Sequence, residues 1–140
     1  MSLEKSIVAE INRRCACGMI KALGLEFTTV ADTTISARFQ VTESLLTPMG
    51  LLHGGASLAV AESVAGVGSI LKCEAGTMPV GSQVVANHVS SARLGQILSV
   101  TGTVLHIGKK THLWNIDIVN ESGALVSTLR VTNHIVPVEK

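Results

Sequence analysis

The stretch Leu45-Leu46-Thr47-Pro48-Met49-Gly50-Leu51-Leu52-His53-Gly54-Gly55, followed by an apolar run through Ala56 and Leu58 to Leu71, decides how this chain reads. Glu62 is the only formally charged side chain between Leu45 and Leu71. The run after Gly55 is built from Ala, Val, Leu, Ile, Gly and Ser, apolar nearly all round. That pattern predicts a helix buried on most sides. An ionised carboxylate taken out of water costs several kcal/mol unless it is paired or takes up a proton, so a buried helix that keeps one Glu has a use for it. Gly54-Gly55 ahead of the run leaves backbone N–H groups approachable at the positive end of the helix, with His53 at its mouth. A carboxylate and a helix terminus suited to an anion are two halves of an acyl-transfer site.

Outward from this stretch, the flanks read as a small α+β protein. Leu3 to Arg14 has helical spacing, and Cys17 to Leu23 carries a second short helix before Gly24. Leu25 to Val30 reads as a strand. Thr33 to Val41 alternates, with Ile35, Ala37, Phe39 and Val41 on one face. Thr42 to Leu52 and Cys73 to Pro79 read as loops on their Pro and Gly content. The remainder predicts four strands, Val80–Val89, Gln96–Ile107, Thr111–Val119 and Ala124–Val136, turning at Gly108-Lys109-Lys110 and at Asn120-Glu121-Ser122-Gly123. Six antiparallel strands with one apolar face would wrap the central helix.

Composition narrows the function. The 140 residues make room for one domain with a real core, expected over 1–140. Net charge is +1, no basic block appears, and Phe27, Phe39 and Trp114 are the only aromatics of their class; nucleic acid is not the expected partner. Met1 to Arg14 is broken by charges and lacks the apolar core of a secretory signal. Glu62 at the centre of Gly54–Leu71 argues against a membrane span. Three cysteines, Cys15, Cys17 and Cys73, form no disulfide framework and point to the reducing cytoplasm. Cys15-Ala16-Cys17 has no second ligand pair at zinc spacing, so no metal site is expected.

Pro48 to Leu58 with Ala61-Glu62-Ser63 resembles the hot-dog-fold acyl-CoA thioesterases of the 4-hydroxybenzoyl-CoA and phenylacetate-degradation type, close to bacterial 1,4-dihydroxy-2-naphthoyl-CoA hydrolases. Ala86-Asn87-His88-Val89, Arg93-Leu94-Gly95 and Leu105-His106-Ile107-Gly108 are similar to the same family, and the likeness runs from about Ala22 to Val136. It implies a hot-dog fold and hydrolysis of an acyl-CoA thioester with no cofactor beyond the CoA of the substrate. Glu62 would be nucleophile or general base, and the Gly54 N–H would hold the oxyanion. His53 would orient that region, and Thr47 would occupy a carbonyl-gripping position. Gly55 and Met49 would border the substrate, and His88, Arg93, Lys109 and Lys110 would lie near the CoA nucleotide and phosphates.

This sequence departs from the family pattern at two places. Relatives usually carry Gln or Asn six residues before the His, where Thr47 stands here. One turn after the Glu they often carry Ser or Thr, where Gly66 stands here. Spacing adds an argument of its own. Glu62 is nine residues past His53, about 13 Å along the same helix, so one chain's Glu62 is badly placed for its own helix terminus. Two antiparallel helices side by side bring Glu62 of one chain to Gly54 of another, which predicts a homodimer, or a dimer of dimers, with shared sites. The rival readings are a non-catalytic acyl-CoA or acyl-carrier binding protein, an enoyl-CoA hydratase, which would want an Asp beside His53, and a structural dimer module.

Overall fold

The computed structural model describes residues 1–139; Lys140, the last residue of the expected domain, lies outside them. Two short helices, α1 (Leu3–Arg14) and α2 (Gly18–Leu23), precede strands β1 (Glu26–Val30) and β2 (Thr34–Gln40). The long helix α3 (Gly54–Ile70) follows, then β3 (Thr77–His88), β4 (Ile97–Ile107), β5 (Thr111–Val119) and β6 (Leu125–Pro137). The six strands form one antiparallel sheet in the order β1-β2-β4-β5-β6-β3, with α3 packed against it.

Alternation places Phe27, Ile35, Ala37 and Phe39 of the first hairpin, Leu98 and Val100 of β4, and Trp114, Ile116 and Ile118 of β5 against the helix, all buried. From α3, Val60, Ala61, Val64 and Ala65 meet them at zero exposure. Burial of such side chains contributes about 1.5–3 kcal/mol each for the larger ones. Close approach depends on Gly68, where an added Cβ would fall 2.7 Å from the Trp114 ring.

Strand β3 begins three residues earlier than expected and takes in Thr77, Met78 and Pro79, which the sequence reads as loop. Pro79 pairs with Ile135, whose N–H goes to the Lys110 carbonyl just before β5. The pair is therefore of the non-hydrogen-bonded kind, and the proline nitrogen faces the open edge, where no donor is missed.

One hydroxyl ties α3 to the sheet. Ser69 Oγ, fully buried, accepts from Trp114 Nε1 at 2.9 Å and Asn133 Nδ2 at 3.0 Å. Both partners can only donate, so they fill the two lone pairs. The Ser69 hydrogen then goes to His112 Nδ1, 2.9 Å away, and the His112 ring carries its own proton on Nε2. Burial, with the charge of His106 adding to it, holds the His112 pKa below the ordinary value. An unfolded His112 protonates first as pH falls through about 6.5. The stabilising effect of the neutral ring is therefore complete above that pH and declines as pH drops through the lower folded value. His112→Asn keeps an acceptor toward Ser69 and cannot titrate. Its melting temperature is expected to fall less than that of wild type between about pH 7.5 and about pH 5, as read by scanning calorimetry.

The first edge of the sheet is closed by a side chain. Asn12 on α1 donates from Nδ2 to the Phe27 carbonyl (2.9 Å) and accepts from the Phe27 N–H at Oδ1 (2.8 Å), as a neighbouring strand would. Removing both bonds in Asn12→Ala should cost about 2 kcal/mol in urea unfolding.

Candidate active site

The segment entering α3 is pinned before the helix starts. Thr47 N–H bonds the Leu51 carbonyl and Gly50 N–H bonds the Thr47 carbonyl, closing a tight turn around Pro48 and Met49. Leu52 N–H reaches Ala92 and His53 N–H reaches Leu45, so the loop is tied to the β3–β4 connection. This fixes where the helix terminus points.

At that terminus the first amides have different fates. The Ala56 N–H bonds the His53 carbonyl at 2.9 Å, and the Gly55 N–H bonds the His53 ring at Nδ1, 2.8 Å away. The Gly54 N–H has no acceptor among the described residues. It lines a cleft of about 560 Å³ whose walls are chiefly Pro48, Met49, Leu51, Leu52, Ala92 and Val126, with Thr47, Ser57, His88 and Ser127 as polar points. An apolar cleft with a free amide at a helix N-terminus suits an uncharged carbonyl that becomes an anion.

The expected residues separate into groups. Thr47, Met49, Gly54 and His88 line this cleft. Gly55 and His53 are exposed at the helix start, each occupied by the other. Glu62 lies eight residues past Gly54, about 12 Å along the helix, outside the lining of the cleft. The expectation that Glu62 is buried does not hold in this chain: the side chain is exposed, because α3 turns Gly55, Glu62 and Ile70 away from the sheet. Arg93 is exposed and only its backbone approaches the segment, bridging to Leu51. Lys109 lines a separate cavity of about 170 Å³ with Lys72, Cys73 and His112, beyond the far end of α3, and Lys110 is exposed in the same turn. Within one chain, then, Glu62 and the two lysines stand apart from the helix terminus.

Two residues not picked from the sequence complete the picture. Gly81 sits where β3 shifts register against β6, and a Cβ there would collide with the Glu62 carboxylate. An isolated Gly inside a strand pattern is the signal for such a seat. Ser127, buried opposite His88, accepts or donates at His88 Nδ1 over 2.8 Å. Its signal is a polar residue on the core-facing side of β6. Among the described residues no group of three or more His, Cys, Asp or Glu is placed to hold a metal ion, and no helix is long and apolar enough to cross a membrane.

An antiparallel sheet wrapped on one long helix, with a polarising helix terminus at an apolar cleft, defines the hot-dog class of thioester-handling proteins. The chain belongs to the Thioesterase superfamily, whose family model matches residues 49–127. It is 38% identical over 117 residues to the 1,4-dihydroxy-2-naphthoyl-CoA hydrolase of Escherichia coli, covering 84% of this chain and 85% of that one. Its fold matches a thioesterase of Haemophilus influenzae with a TM-score of 0.89 at 28% identity, over 95% of this chain and 92% of that one. It also matches a thioesterase of Staphylococcus aureus, TM-score 0.81 at 32% identity, over 85% and 98% of the two chains. That protein has been crystallised with a glutamine, and separately with a glutamate 15 residues further on, replaced by alanine. Thioester hydrolysis is thus the reaction class of this chain.

Proposed function

We propose that this chain, acting as one hot-dog domain, hydrolyses an aromatic or medium-chain acyl-CoA in the cytoplasm. The observation that carries the reading is the unengaged Gly54 N–H at the apolar cleft. The thioester carbonyl enters there, and oxyanion charge develops against the amide and the helix terminus. Glu62 attacks the acyl carbon or takes a proton from a water that does so, and CoA thiolate leaves. Thr47 and Glu62 stand at the same 15-residue spacing as the glutamine and glutamate replaced in the Staphylococcus aureus protein. This hydrolysis calls on no metal or redox cofactor.

The same reading requires two copies. The uncovered face of α3 presents Gly55, Glu62 and Ile70 beside an open space at Gly66, and the adjoining β3 edge exposes Met78, Val80 and Val85. Antiparallel pairing there brings Glu62 of one copy toward Gly54 of the next and the Lys109-Lys110 turn toward a CoA emerging from the neighbouring cleft. His53 holds the helix start in shape by occupying the Gly55 N–H, which supports its assignment as an orienting group. Arg93 and Gly55 then border the entrance.

The test is thiol release from a panel of benzoyl, naphthoyl and medium-chain acyl-CoA esters, with oligomeric state measured by light scattering on the same sample. Turnover of one class names the acyl group, and the Escherichia coli relative favours the aryl esters. Binding of every ester without thiol release would replace this reading with the non-catalytic binding protein, and an active monomer would remove the shared site.

A further inference from the structure

The helix terminus offers one open amide, and a second donor stands beside it. His88 lies with Nε2 2.7 Å from where a Cβ on Gly54 would be, which puts the ring nitrogen within about 4 Å of the Gly54 Cα. Only glycine at this position lets the ring come so close. The other ring nitrogen, Nδ1, is 2.8 Å from Ser127 Oγ, and Ser127 is 1% exposed. A Ser127 hydroxyl donating to Nδ1 leaves the His88 proton on Nε2, facing the cleft. Thr47 offers a shorter reach into the cleft than a Gln or Asn would. Its hydroxyl is on a short stem and folds back on its own turn, accepting from the Met49 N–H at 3.3 Å.

We propose that His88, through its Nε2–H, is the second hydrogen-bond donor to the thioester carbonyl, beside the Gly54 N–H, and that Ser127 is the positioning residue that fixes its ring. The proposal rests on the hydrolase reading. Water adds to the acyl carbon as its proton passes to Glu62 of the neighbouring copy, and the carbonyl π pair moves onto oxygen. That oxygen is held by two N–H groups that keep their protons. When the C–O double bond re-forms, the C–S bond breaks, and the thiolate takes the proton from Glu62, giving the acid and CoA thiol. His88 thus serves the acyl carbon and not the CoA nucleotide.

The experiment measures kcat and KM for one acyl group carried on CoA and on N-acetylcysteamine, which lacks the nucleotide. His88→Phe is expected to lower kcat ~100-fold on both esters with KM little changed, the usual effect of losing one oxyanion donor. His88→Gln, which keeps an N–H near the position of Nε2, should retain most activity. Thr47→Gln should recover tenfold or more in the His88→Phe background and gain less in wild type, since it supplies the same bond from the other wall. Ser127→Ala should lower kcat and Ser127→Thr restore it. A rise in KM confined to the CoA ester, or no recovery by Thr47→Gln, overturns the proposal. Infrared difference spectra of a carbon-13 carbonyl ester bound to the Glu62→Gln protein separate the two readings. A carbonyl stretch lowered on binding, unless His88 is changed to Phe, keeps His88 as donor even if wild type hydrolyses nothing. A stretch unaffected by His88→Phe removes it even in an active enzyme.

Discussion

Glu62→Gln is expected to hydrolyse the preferred acyl-CoA ~100-fold to ~10,000-fold more slowly than wild type, with KM nearly unchanged. The amide is the same size as the carboxylate but neither attacks the acyl carbon nor takes a proton from water. Because Glu62 is exposed on the chain and rests against Gly81, the substitution removes no core packing. The melting temperature should therefore stay at the wild-type value, and the loss should fall on kcat. Steady-state kinetics with a thiol reagent and a thermal scan of the same preparation check both halves. Undiminished kcat in this variant would remove Glu62 from the reaction.

The largest expected effect on stability comes from a single oxygen far from the cleft. Ser69→Ala deletes the acceptor of the Trp114 and Asn133 donors and the donor to His112, all buried. Asn133 retains only a 3.3 Å contact to the Ala65 carbonyl. Each buried group left without a partner costs about 1–3 kcal/mol, and alanine's better helix propensity returns about 0.5 kcal/mol. A net loss of about 3 kcal/mol or more follows, a large fraction of the stability of a domain this size. Urea unfolding at fixed protein concentration measures it. A loss under about 1 kcal/mol would mean that water or a shifted Asn133 takes over the role of the hydroxyl.

The fold was readable where residues alternate or repeat on a local period. Ile35, Ala37 and Phe39, or Trp114, Ile116 and Ile118, show their faces at a spacing of two. The start of β3 was not, because Pro79 signals a break unless the strand is known to be an edge, and edges are set by pairing between distant segments. The helix type was evident from Gly54 to Leu71, but its orientation was hidden. With small apolar residues all round, nothing in the pattern says that Glu62 turns outward while Ser69 turns in. Glu62 and the helix start at Gly54 stood out from the residues themselves, and the roles of His53, Gly54 and Glu62 followed from the family resemblance. The place of His88 could not be read in this way, since its partner Ser127 is 39 residues away and only strand register joins them.

The pairing of Asn12 with Phe27 has a consequence for growth of assemblies. A sheet with two free edges can add copies without end, one copy's first strand meeting the next copy's last. Here α1 lies along β1, and its Asn12 amide occupies the Phe27 N–H and C=O, which an incoming strand would use. Head-to-tail addition is blocked at Phe27. In the proposed dimer β3 of one copy meets β3 of the other, a like-to-like join that is finished after two copies. The one amide on the first helix thus guards the end of the sheet opposite the edge left open.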